Sequence, residues 1–311
     1  MTKKKPTNVA ASVRARLLQL AKQGGEDFHY VLTRYGLERL LVRLVRSPHR
    51  AAFVLKGAML FRAWSPALHR PTKDLDLLGS GAPDLDRLAG VFRDVCGIAV
   101  EDDGVTFDPK TVAARRIKED AEYEGVRVTM RASIGSAKLE LQIDVGFGDA
   151  VTPAASEINF PTLLGAESVR ILAYPRETVV AEKVEAMVHL GIANSRMKDF
   201  FDVWFLAQNF PFEGRGLSEA IRATFVRRGT PIPEAPPVAL TAVFATDASK
   251  AAQWKGFVTR GGLALGTSLA DIVEAVAGFA WPPLDAAREA RPFPALWAPS
   301  GPWRPADGPH A

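Results

Sequence analysis

A chain of 311 residues, 47% hydrophobic and 24% charged, has the apolar material for a sizeable core and the length for one large domain or two ordinary ones. Its one cysteine, Cys96, excludes an internal disulfide and a cysteine-rich zinc site, which fits a reducing, cytoplasmic setting, and Cys96 reads as a small core residue. The net charge of +4 suits a polyanionic partner without requiring one, and no apolar run reaches the ~18 residues of a membrane helix.

The first twenty residues have a basic tip, but Arg14, Arg16 and Lys22 interrupt the apolar residues beyond it, so an amphipathic surface helix is expected rather than a secretory signal. From Glu26 to Ser47, Phe28, Val31, Leu32, Tyr35, Leu40, Leu41 and Leu44 recur at helical spacing, and Pro48 ends the pattern. Arg34, Arg39, Arg43 and Arg46 lie largely off that stripe and read as a solvated face in preference to a phosphate-facing one. "AAFVL" reads as a short buried strand, Lys56-Gly57 as a turn into a helix, and "KDLDLL" as the neighbouring strand. Asp84 to Cys96 forms a second amphipathic helix. "GVRVTMRASI" and "KLELQIDVGFG" then alternate with a period of two about Gly135-Ser136, which predicts a hairpin.

Beyond "PTLLG" and "RILAYP", helical spacing runs from about Arg176 to Asn209 with an interruption near Gly191, and continues more weakly to Phe225. "RRGTPIPEAPPVAL" reads as a proline-stiffened connection, and a last helix is expected over Ser268 to Phe279. From Trp281 onward Pro, Ala and Trp dominate without periodicity, which predicts an irregular tail. There are no internal repeats.

The chemistry concentrates in the strand "KDLDLL". Residues two apart on a strand share a face, so Asp74 and Asp76 project together while Leu75 and Leu77 enter the core. Two adjacent carboxylates repel unless a proton or cation lies between them, and hard oxygen ligands of this kind suit Mg²⁺ bridging to phosphates. A solvated surface pair would show the same spacing. Upstream, Lys56 and Gly57 end a strand where free N–H groups and a cation can meet a phosphate chain, and Arg70 and Lys73 add positive charge. An ordinary turn glycine and surface cations are the plainer reading of these positions. In "KLELQIDVGFG", Leu139, Leu141, Ile143 and Val145 occupy one face and Glu140, Gln142 and Asp144 the other, so Asp144 completes a carboxylate triad if its strand lies beside the Asp74–Asp76 strand.

Taken together, "FVLKGAMLF", "HRPTKDLDLL", "ELQIDVGFG" and "ETVVAEKVEAMVHLGIANSRMKDFFDVW" resemble the AbiEii/AbiGii nucleotidyltransferase toxin family, which includes the MenT-like toxins and is a branch of the polymerase-beta-like nucleotidyltransferases. The resemblance covers all but the tail. It implies a bilobed α/β (α+β) protein, with a nucleotidyltransferase domain of mixed sheet and N-terminal helices over 1–170, a helical lobe over 171–283 and the tail at 284–311. Lys56 and Gly57 match the family's glycine-turn motif, with Ala58 where a second Gly or Ser is common. Asp74 and Asp76 match the metal pair, and Asp144 the third acidic position. Lys183 matches a helical lysine that would hold the triphosphate; its spacing alone favours an exposed lysine paired with Glu182 or Glu185. Arg196, Asp199 and Asp202 are spaced by threes on one helix stripe; the family's KDxxD motif, read at "KDFFD", implies an active-site role with Asp202 preferred as catalytic and Arg196 and Asp199 at the nucleotide, the alternative being a buried ion pair with Arg196 or Lys198.

The resemblance further implies an Mg²⁺-dependent transferase, with Mn²⁺ as a substitute ion, that moves a nucleotide from an NTP to RNA, with the 3′ end of tRNA as its acceptor. It would be a growth-inhibiting toxin of a toxin–antitoxin system active in phage defence, cytoplasmic, without membrane attachment, and opposed by an antitoxin encoded beside it. A non-catalytic nucleic-acid-binding regulator and a two-metal nuclease are the alternatives.

Overall fold

The computed structural model describes residues 8–65, 70–119, 123–165, 169–263 and 265–306; the basic tip at residues 1–7 and the last five residues lie outside them. The chain divides into two compact units, Met1–Gly148 with Ser156–Ala173, and Asp149–Ala155 with Tyr174–Ala311.

In the first unit, helix α1 (Val9–Gly24) begins where the Asn8 side chain accepts the Ala11 amide and ends at Gly25, whose φ of 63° favours glycine. Helix α2 (Phe28–Arg46) is capped by Asp27. Strand β1 (Phe53–Lys56), short helix α3 (Leu60–Trp64) and strand β2 (Asp74–Gly79) come next, then helix α4 (Leu85–Cys96), strands β3 (Val105–Glu119), β4 (Tyr123–Ile134) and β5 (Ala137–Phe147), and strands β6 (Ser156–Phe160) and β7 (Val169–Ala173). They form one seven-stranded mixed sheet in the order β3-β4-β5-β2-β1-β7-β6. Strand β2 runs antiparallel to β1 and parallel to β5.

The alternation in β4 and β5 decides which face the helices cover. A methyl at Gly36 of α2 would stand 3.2 Å from Leu139 and Leu141, and Cys96 of α4 touches Met130 at 3.6 Å. The apolar face thus packs on helices, and the polar residues between these positions point the other way. Burial pushes the Cys96 thiol up to about 11, so it stays protonated at neutral pH.

One expectation is corrected in this unit, and one strand is added to the reading. Helix α2 is not amphipathic in its surroundings: Val31 to Leu44 are all buried, Arg34, Arg39 and Arg43 included. Each of these arginines pairs internally, Arg34 with Glu26 at 2.8 Å, Arg39 with Glu38 at 2.6 Å and Arg43 with Asp103 at 2.7 Å. Burial costs an unpaired charge dearly, so these acids are what allow the arginines inside, and only Arg46 is exposed. The long strand β3 was not foreseen, because Pro109 and a register shift between Asp108 and Ala113 break its alternation; as the sheet's edge it tolerates both.

The second unit carries helices α5 (Arg176–Leu190), α6 (Met197–Asn209), α7 (Gly214–Arg228), α8 (Ala242–Ala245), α9 (Ala248–Gly261) and α10 (Leu269–Arg288), with strands β8 (Phe212–Glu213), β9 (Ala295–Trp297) and β10 (Trp303–Pro305). The break near Gly191 is present, with that glycine at φ 51°. The expected irregular tail is a correction: α10 continues through Pro282 and Pro283 to Arg288, and β9 and β10 join β8 in a three-stranded sheet. Among the described residues no helix is long and apolar enough to cross a membrane.

The reason the tail is ordered lies in two carbonyls. Pro283 has no N–H for the Phe279 carbonyl one turn back, and the Trp303 indole donates to it instead at 2.9 Å. Pro211 likewise leaves the Ala207 carbonyl at the end of α6 without its helical donor, and the Trp297 indole supplies one at 2.7 Å, joined by the Ser300 amide at 3.0 Å. The rings of both tryptophans pack on Phe279, at 4.9 and 5.8 Å between centroids.

Candidate active site

Five strands of the first unit contribute one charged residue each to a single row across the sheet. Lys56 of β1 stands opposite Asp76 of β2, Asp76 beside Asp144 of β5, Asp144 opposite Arg127 of β4, and Arg127 opposite Arg115 of β3. Directly paired residues share a face, so the row reads positive, negative, negative, positive, positive on the face that α2 and α4 leave alone. Asp74 is two residues back from Asp76 on the same face, beside Gln142, which in turn faces Thr129. The strand of Asp144 does lie beside that of Asp74 and Asp76. One carboxylate oxygen from each of the three lies within 4.8 Å of the others, and all three residues are half-buried.

Each carboxylate is oriented by its neighbours. Asp144 accepts two hydrogen bonds from Arg127, from Nε at 2.8 Å and Nη2 at 2.7 Å, and a third from Gln142 at 3.2 Å. Asp74 accepts from the Thr72 hydroxyl at 2.5 Å, while the Thr72 amide donates to the Tyr30 hydroxyl. Gly57 packs directly on Asp76: a Cβ there would fall 1.9 Å from Oδ2, and φ is 71°. Glycine is required at this turn both by its backbone conformation and by the carboxylate against it. Lys73 is exposed and lines an open groove of about 590 Å³ with Thr111, Thr129, Arg131 and Gln142, and Arg70 is half-buried.

Arg127 was not singled out from the sequence, although a signal was present. The two-residue hairpin at Gly135-Ser136 pairs Ile134 with Ala137, and counting outward from it makes Arg127 the partner of Asp144.

The second unit gathers Lys183, Arg196, Asp199 and Asp202. Lys183 Nζ lies 2.7 Å from Asp199 Oδ1 and 2.7 Å from Asp202 Oδ2, and Arg196 Nε lies 2.6 Å from Asp199 Oδ2. Both aspartates have no exposed surface, while Lys183 keeps 14% and Arg196 40%. The ion pair weighed for Asp199 therefore exists, with Lys183 as well as Arg196 as its cation, and Lys198 is exposed. Burial would raise the Asp199 carboxyl, but Lys183 and Arg196 outweigh it and hold the carboxyl below the usual range. The partners considered for Lys183, Glu182 and Glu185, lie instead within 3.9 and 2.5 Å of Arg228.

The chemistry of the first group suits a hard divalent cation: three carboxylates converge, and among the described residues no other group of three or more His, Cys, Asp or Glu side chains does so. A family model described as "Nucleotidyl transferase AbiEii toxin, Type IV TA system" matches residues 39–288, well over half of the chain. No curated protein matches it. The crystal structure of JHP933 from Helicobacter pylori is 16% identical with a TM-score of 0.47, covering 82% of this chain and 91% of that one. A second H. pylori crystal structure, described as that of a candidate nucleotidyltransferase, is also 16% identical with a TM-score of 0.47, covering 83% and 96%.

Proposed function

We propose, on the premise that the chain belongs to the AbiEii nucleotidyltransferase toxin family, that it transfers a nucleotide from an NTP to the 3′ end of a tRNA at a divalent-metal centre formed by Asp74, Asp76 and Asp144. Nucleotidyl transfer itself, a nucleotide substrate and an antitoxin counterpart follow from membership of this type IV toxin–antitoxin family. The observation that carries the finer reading is the convergence of the three carboxylates, with Gly57 seated on Asp76.

In this reading the acceptor hydroxyl attacks the α-phosphorus, a new P–O bond forms as the bond to pyrophosphate breaks, and the hydroxyl proton passes to water. Bound Mg²⁺ would neutralise phosphate charge and acidify the attacking hydroxyl. Asp74 and Asp76 supply ligands from one strand, and Asp144 supplies the third through a carboxylate fixed by Arg127. The N–H groups of the turn at Gly57, with Lys56, offer donors to the triphosphate, and Arg70 and Lys73 add positive charge beside the carboxylates.

Lys183 is proposed as a further cation for the nucleotide's phosphates. The support is its match to the family's helical lysine and its seating on Asp199 and Asp202, which hold the ammonium in place. Asp199 and Asp202 are then positioning residues, with Arg196 as the more exposed member of the cluster.

The acceptor is tested with labelled NTP, Mg²⁺ and tRNA whose 3′ end is intact or periodate-oxidised. Label should enter intact tRNA and be lost on oxidation, which destroys the terminal diol. Undiminished labelling of oxidised tRNA, or label found only on protein, rules out the 3′ end.

A further inference from the structure

The chain's own donors nearly saturate Asp144. A carboxylate offers about four lone-pair positions. Arg127 takes one on Oδ1 and one on Oδ2, and Gln142 takes the other on Oδ2, which leaves a single position on Oδ1. The carboxylates of this row and Asp74 are matched by cations as well. Lys56 and Arg127 flank Asp76 and Asp144, Arg115 stands beyond Arg127, and Asp74 brings the count to three positive and three negative charges.

A free divalent ion approaching this group meets carboxylates offset by neighbouring cations rather than three bare negative charges, and finds one ligand held in a guanidinium fork. A nucleotide's triphosphate brings further negative charge with it. We propose that Arg127 holds the carboxylate group charge-balanced and weakly attractive to a free divalent ion, so that ion and nucleotide are retained together. Arg127 is a positioning residue for Asp144 and a brake on metal loading. The inference rests on the reading of Asp74, Asp76 and Asp144 as a metal site.

The experiment is equilibrium dialysis of Mn²⁺ against the full chain without RNA, with and without a mixture of α,β-methylene NTP analogues, for wild type, Arg127→Met and Arg127→Lys. Wild type should bind Mn²⁺ weakly alone and more tightly with the analogues. Arg127→Met should bind Mn²⁺ alone about tenfold more tightly than wild type, since even at water's dielectric a guanidinium a few ångströms away opposes a divalent ion by about that factor. Arg127→Lys, which keeps the charge, should stay near wild type. Unchanged or weaker binding by Arg127→Met overturns the proposal, because it makes Arg127 a support for metal binding. Should Arg127→Met not fold, the wild-type pair still decides: equally tight Mn²⁺ binding with and without analogues overturns the proposal. Absence of Mn²⁺ binding by wild type and variants even with analogues is a different result, which overturns the metal-site reading and this inference with it.

Discussion

At Gly57 a side chain and a carboxylate would compete for one place. A β-carbon there would overlap Asp76 Oδ2, and the backbone holds φ 71°. Gly57→Ala should therefore displace Asp76, abolish nucleotide transfer and cost at least about 1–3 kcal/mol, the range for a non-glycine residue forced into that region; transfer assays and urea unfolding read the two effects. Wild-type transfer by this variant would contradict the close seating. Lys183 poses the opposite case, a cation required by what surrounds it. Lys183→Met leaves Asp199 and Asp202 buried with one cation fewer, and should cost roughly 3–5 kcal/mol, so its loss of activity is interpretable only beside a thermal melt. The folded Asp199 carboxyl lies below its unfolded value of about 4. Its contribution to stability is therefore present above about pH 4 and is lost as pH falls through the lower folded value. Asp199→Asn should lower stability at neutral pH and flatten the acid limb of the stability curve. An acid limb identical to wild type would contradict the pairing.

Among elements, the C-terminal strands show how a segment that looks structureless is held by needs arising elsewhere. Trp303→Phe removes the donor that replaces the missing Pro283 amide and leaves the buried Phe279 carbonyl without it, a cost of about 1–3 kcal/mol. Thermal denaturation should show the loss, and an unchanged melting temperature would mean that the Phe279 carbonyl does not depend on Trp303. Neither strand could be read from "WPPLDAAREARPFPALWAPSGPWRP", because its order depends on carbonyls exposed by prolines as distant in sequence as Pro211. The same limit hid the burial of α2, whose Arg43 finds its partner at Asp103. Where contacts are local or periodic the sequence was legible. Alternation placed Asp74 with Asp76 and Asp144 opposite Leu139 to Val145, and the Gly135-Ser136 hairpin is present. What periodicity could not supply was which strands are neighbours, and the convergence of the three carboxylates depends on the parallel pairing of β2 with β5.

Across the whole molecule, the positive balance is distributed differently from first expectation. The buried arginines of α2 are spent on internal acids, so the polyanionic acceptor proposed above would meet exposed cations such as Lys73, Arg115 and Arg131. Acceptor binding should weaken steeply with salt, because each neutralised phosphate releases counterion. Charge also organises both units, as a row of acids flanked by cations in one and as a lysine on two buried aspartates in the other. If the three carboxylates are the centre of nucleotidyl transfer, the fate of each phosphate depends on them. α-Labelled and γ-labelled NTP distinguish those fates, with wild type and Asp76→Asn given tRNA and Mg²⁺ after a melt has verified that the variant is folded. Wild type should place the α-label in RNA and release the γ-label in pyrophosphate, while Asp76→Asn transfers neither. Transfer of the γ-label to RNA, or α-labelling by Asp76→Asn at the wild-type rate, would contradict the assignment.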